Sequence, residues 1–174
     1  MAELINVSRI TNANIYLDGA SLLGRADEVE LAWPKAKMVD HKGLGMFGTG
    51  EFPSGIDKLE AKVKWSSIYV EVLNTMSIFA SHQFQIRASI EQFTSLGRTA
   101  ESPFVGYMTA LFKDGGPLNF KQHEQVDFPS TLVVYSCRYD INGRTCLFYD
   151  LMSNQYVVNG VDQLAQYRAN IGAA

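Results

Sequence analysis

The stretch TLVVYSCRYDINGRTCLFYDLM, residues 131–152, decides the fold class. At its centre Asn142-Gly143 supplies two residues that tolerate the positive φ angles of a two-residue hairpin turn. The arms, Thr131 to Ile141 and Arg144 to Met152, are rich in β-branched and aromatic side chains, so they read as two long antiparallel strands. An ordinary register through that turn pairs Cys137 with Phe148 and Cys146 with Tyr139. The two cysteines are then diagonal neighbours roughly 7 to 8 Å apart, beyond the span of a disulfide, and free thiols are expected unless a bulge shifts the register. A bridge between subunits stays open.

The same strand grammar extends outward from this hairpin. Leu59, Ala61, Val63 and Trp65 alternate with Lys58, Glu60, Lys62 and Lys64, giving a half-buried strand. Phe84, Ile86, Ala88 and Ile90 do the same against Gln83, Gln85, Arg87 and Ser89. Asn14 to Leu17 and Ala20 to Leu23 flank another hairpin turn, Asp18-Gly19, and Val29, Leu31 and Trp33 alternate with Glu28 and Glu30 until Pro34 ends the run. Phe104 to Phe112 is apolar at both phases, which implies cover on two sides, either in the core or between subunits.

Two segments carry helical spacing. Ser66 to Phe79 places Ile68, Tyr69, Val72, Leu73, Met76 and Phe79 on one stripe, although its β-branched residues are poor helix formers. Val161, Leu164, Tyr167 and Ile171 form a second stripe, with Asn159 available as a cap and Gly172 as a stop. The expected fold is mainly β with two helices (α+β): a β-sandwich or partly closed antiparallel barrel of about seven or eight strands, one helix packed near 66–79 and a short C-terminal helix near 161–171. No repeat or linker divides the chain, so residues 1–174 read as one domain with an extended loop at 38–56.

Chemistry finds few footholds. Gly43-Leu44-Gly45-Met46-Phe47-Gly48 has the spacing of a dinucleotide fingerprint, but no buried strand leads in and no helix leads out to hold a pyrophosphate. His41, His82 and His123 lack a second ligand at metal-site spacing, no Gly-x-Ser-x-Gly turn occurs, and neither cysteine sits in a nucleophile's context. Catalytic, cofactor and metal residues are therefore expected to be none. The net charge of −3, spread thinly, provides no basic face to displace counterions from nucleic-acid phosphates. No apolar run marks a signal peptide or membrane span, so synthesis in the cytoplasm without a membrane anchor is expected.

A long glycine-bearing connection is unusual unless it has a task, and reaching a neighbouring subunit is one. Gly43, Leu44, Gly45, Met46 and Phe47 are the candidates, since Met and Phe suit an interface and the glycines permit adaptation.

The C-terminal run Asn159-Gly160-Val161-Asp162-Gln163-Leu164, followed by Tyr167-Arg168 and Asn170-Ile171-Gly172, resembles the ending of the major tail tube proteins of contractile-tailed phages and R-type pyocins. The preceding hairpin, Val133 to Asp150, occupies the place of that family's final hairpin, and Lys42 to Met46 with Gly55-Ile56-Asp57 resembles its glycine-bearing loop. The resemblance implies a virion structural protein without catalysis or cofactor. Such subunits form hexameric rings that stack into a hollow tube inside a contractile sheath. The implied partners are the chain itself, the tail sheath protein, baseplate and tail-terminator proteins, and, transiently in the lumen, the tape measure protein and DNA.

A tube for DNA is best lined by neutral or mildly acidic groups, because duplex DNA carries a charge every ~1.7 Å and a basic lining would hold it. Glu28, Glu30 and the polar face from Gln83 to Glu91 are the candidate lining groups. The rival readings are the tube subunit of a type VI secretion-like injection apparatus and a small β-barrel holding an apolar ligand.

Overall fold

A computed structural model of the chain describes residues 5–120, 122–123, 126 and 128–173. Twelve strands and two short helices are found among them: β1 (Val7–Leu17), β2 (Ala20–Ser21), β3 (Ala26–Glu30), β4 (Ala36–His41), β5 (Gly50–Ile56), β6 (Leu59–Trp65), α1 (Val70–Leu73), β7 (Ser81–Thr94), β8 (Gly97–Asp114), β9 (Phe128–Ile141), β10 (Arg144–Asp150), β11 (Gln155–Val158), β12 (Val161–Asp162) and α2 (Ala165–Asn170). The mainly β character with two helices holds, as an open, sandwich-like antiparallel sheet and not a closed barrel.

Ten strands form one sheet, eight of them in the order β12-β11-β10-β9-β8-β7-β1-β2 with β6 and β3 as a branch off β9, and β4 and β5 pair only with each other. The strand β9 is its hub. Along one side it pairs with β8 from Phe104 to Asp114; along the other its first half pairs with β6 (Leu59↔Val134 to Trp65↔Phe128) and its second half with β10. Between the two halves the ladder to β8 skips Tyr135, a bulge that re-aims the strand. The sheet divides at that point, and β3 extends the β6 branch.

The alternation read from sequence is what buries the core. Leu59, Ala61, Val63 and Trp65 all lie at 3% exposure or less, and they meet Phe84, Met108, Phe112, Leu132 and Cys137 inside the curl. The buried Trp65 indole Nε1 donates to Ser130 Oγ at 2.9 Å, which satisfies the one polar side chain in this core. Near the β9–β10 turn Tyr139 lies across Gly106, where an added Cβ would meet the ring at 3.3 Å, and its hydroxyl donates to the Ala32 carbonyl. Trp33 stacks on the same ring at 5.7 Å. Strand β8 buries one face only: Gly106, Met108, Ala110 and Phe112 are inside, whereas Val105, Tyr107, Thr109 and Leu111 are half-covered.

The helices are shorter than their stripes. Within 66–79 only α1 forms, a single turn after Tyr69, because no side chain caps its start and Val70 and Val72 are β-branched. Asn159 is not a helix cap; with φ of 51° it forms, with Gly160, the tight turn between β11 and β12, and α2 begins only at Ala165. Gly172, at φ 71°, does end that helix. The Asp18-Gly19 turn forms as read, although its second arm pairs for only two residues.

The span 38–56, expected as an extended loop, is for most of its length the hairpin β4–β5, with residues 42–49 as its tip. In the last hairpin Cys146 is itself a bulge: Thr145 faces Asp140 and Leu147 faces Tyr139, so Cys137 pairs with Tyr149 and not Phe148. Both thiols are free.

Candidate assembly surfaces

The β4–β5 arm is built from residues that gain nothing by folding alone. Met38, Val39, Met46 and Phe52 are about half exposed, and Leu44 and Phe47 at the tip are fully exposed. Gly45 takes a φ of 85° there, a conformation that L side chains rarely adopt. The five candidates of the glycine-bearing loop therefore sit together at the end of an arm of six to seven residues per strand, roughly 20 Å long. The tip leads into β5 and not into a helix, so the geometry that a dinucleotide pyrophosphate needs is not formed.

Glu28 and Glu30 stand on the outward face of the sheet, across from Lys64 and Lys62 respectively, and Glu30 pairs with Lys62 at 3.2 Å. Cross-strand register carries that face from β6 over β9 and β8 to β7. One row runs Tyr16, Gln85, Tyr107, Arg138 and Phe148; the next runs Asn14, Arg87, Val105, Asp140 and Thr145. Arg138 lies over Tyr107 at 4.4 Å and pairs with Asp140 at 3.1 Å, Arg87 lies over Tyr16 at 5.5 Å, and Gln83 Nε2 donates to Thr109 Oγ1 at 2.9 Å. The face is polar, cross-braced and charge-compensated. Sequence reasoning found its β7 row but missed that β8 and β9 continue it, because the pairing order of distant strands leaves no local signal.

The C-terminal motif residues divide into a turn and a clasp. Asn159 and Gly160 make the turn, Val161 pairs with Val158, and Asp162 Oδ1 accepts from the Leu164 N–H at 2.9 Å just ahead of α2, whose first turn no side chain caps. Arg168 reaches back to Asp162 at 2.6 Å and donates to the Asn154 carbonyl at 2.9 Å. The Arg168 guanidinium, helped by the Leu164 N–H, holds the Asp162 carboxyl below its ordinary range. Ile171 and Gly172 close the last turn, with the Ala173 N–H on the Arg168 carbonyl. These residues position the chain end; they bring no reactive groups together.

Elsewhere His82 Nδ1 meets Asp18 Oδ2 at 2.6 Å, and the Gln83 N–H also binds that carboxylate; burial raises the Asp18 carboxyl, but these partners outweigh it and leave it lowered. Among the described residues no group of three His, Cys, Asp or Glu side chains could hold a metal ion, and no helix is long and apolar enough to cross a membrane.

A protruding apolar-tipped arm, a wide compensated sheet face and a clasped chain end define a structural subunit made to pack against neighbours. The chain belongs to the phage tail tube protein FII family, whose model matches residues 7–172. It is 28% identical over 166 residues to the tail tube protein of Escherichia phage P2, covering 91% of this chain and 94% of that one. It is thus a structural tail tube subunit, a component of the virion tail that assembles with itself and with other tail components.

Proposed function

We propose that this chain forms stacked hexameric rings inside a contractile sheath and that the resulting bore conducts DNA at ejection. The observation that carries this reading is the β4–β5 arm, whose Leu44 and Phe47 are fully exposed in the single chain and gain cover only from another molecule. Gly43 to Phe47 serve as the contact between rings. The sheet face holding Gln83, Gln85 and Arg87 lines the bore, flanked by Glu28 and Glu30. Arg87 and Arg138 on that face are engaged with Tyr16, Tyr107 and Asp140, which fits a surface over which phosphates slide without being gripped.

Residues 1–174 act as one domain, without enzymatic activity. The partners are the sheath, baseplate, terminator and tape measure proteins, and assembly takes place in the host cytoplasm. A toxin-carrying injection tube is the second reading, and the same arm and sheet face support it equally.

Negative-stain microscopy with light scattering tests the proposal. Uniform hollow tubes or six-fold rings are expected at high concentration or on addition of tube-initiating baseplate components. A persistent monomer under both conditions would sink it, and a bore lined by unpaired Lys and Arg would remove the DNA-conduit role.

A further inference from the structure

The sheet is not closed everywhere. Where the return segment Leu22–Leu31 stands off the paired middles of β1 and β7, the layers splay and leave an open groove of about 450 Å³. Its lining is mixed: Ile10, Ile15, Leu22, Val29, Ile86 and Phe104 supply an apolar floor, and Thr11, Asn12 and Asn14 add polar groups. Ile10 is 54% exposed there, whereas Ile15, Leu22 and Ile86 belong to the buried core, so the groove is the core itself opening to solvent. Asp27 and Glu28 stand at its rim, Glu28 across from Lys64 of β6, and among the described residues no Lys, Arg or His lines the groove itself.

The arm tip has the opposite character on both counts. Leu44 and Phe47 are the most exposed large apolar side chains among the described residues, and the tip, residues 42–49, carries Lys42 and no carboxylate, with Asp40 and Glu51 paired further down the arm. Full exposure also shows that the tip does not occupy its own chain's groove.

We infer that the splayed groove between β1, β3 and β7 is the socket for the β4–β5 arm tip of a second copy, with Leu44 and Phe47 entering it and Lys42 meeting the acidic rim. This deepens the tube reading and rests on it. A knob and a socket on different parts of one surface make a head-to-tail contact, which propagates from copy to copy and does not close in a pair. Such a contact suits growth along a tube, and it also covers core residues that the single chain leaves open to solvent.

Paired cysteines test the socket in the full-length chain. In a Cys146→Ser background, Phe47→Cys and Ile10→Cys chains are prepared separately, mixed, assembled and oxidised; both positions are exposed, so neither substitution disturbs the core. Cys137 does not compete, being 1% exposed with its thiol pushed up to about 11 by burial. A disulfide-linked dimer in the mixture, with none from either chain alone, is the expected result.

As a second measurement, Phe47→Asp is expected to raise the concentration needed for assembly by roughly tenfold or more. Tubes that form without the cross-link, or with an unchanged threshold for Phe47→Asp, overturn the socket and leave the tube reading standing. Assembled tubes whose groove holds a co-purified apolar small molecule overturn it as well. Chains that stay monomeric under every assembly condition overturn both.

Discussion

Tyr139 shows how one residue ties the layers together. Its ring fills the space left by Gly106, stacks under Trp33 and carries its hydroxyl to the Ala32 carbonyl. Burial raises its phenol well above the ordinary value, so the hydroxyl remains a donor at any working pH. Tyr139→Phe leaves that carbonyl without its donor and is expected to cost about 1–3 kcal/mol in urea unfolding. Ser130→Ala does similar damage by stranding the Trp65 indole N–H, about 1–3 kcal/mol, with no change in the unfolding slope.

The Asp162–Arg168 clasp has a pH signature. Since the Asp162 carboxyl is held below its unfolded value, the clasp contributes fully above that value, about 4, and is lost as pH falls through the folded one. The protection of amides at residues 165–173, taken relative to the intrinsic exchange rate at each pH, should therefore fall on acidification. Asp162→Asn should show that lower protection at neutral pH too, with protection that no longer changes with pH.

Among the elements, those with strict alternation were legible and those that depend on tertiary partners were not. Residues 59–65 and the Asn142-Gly143 hairpin could be read directly, because period-2 burial and a demanding turn are local facts. The helix over 66–79 failed for want of a cap, with a valine pair that favours extended backbone. The arm was mistaken for a loop because both its faces are exposed, so no alternation marks β4 or β5. The tip residues stand out in sequence through the odd company of Met and Phe with glycines, whereas the groove beside β1, β3 and β7 is assembled from segments distant in sequence and leaves no local mark.

Two expectations belong at this scale. Replacing residues 42–49 with an Asn-Gly turn should leave the urea midpoint unchanged, since the arm touches little of the core, yet abolish tubes in the microscope. Gly116→Ala should do the reverse. An added Cβ there would stand 2.0 Å from the Pro129 carbonyl oxygen at a φ of 63°, so the approach to β9 must shift, costing about 2 kcal/mol or more in thermal or urea melts.

For the molecule as a whole, the order in which its parts become available matters as much as their final places. The apolar row of β6 has its main ladder on β9, a strand made more than sixty positions later. At roughly 5–20 residues per second, Trp65 and its neighbours wait several seconds outside the ribosome before their partner exists. Until then the sheet cannot divide into its two branches. A chain that stops short of residue 128 therefore leaves the apolar row of Leu59, Ala61, Val63 and Trp65 without its cover, and is expected to aggregate where the finished chain does not.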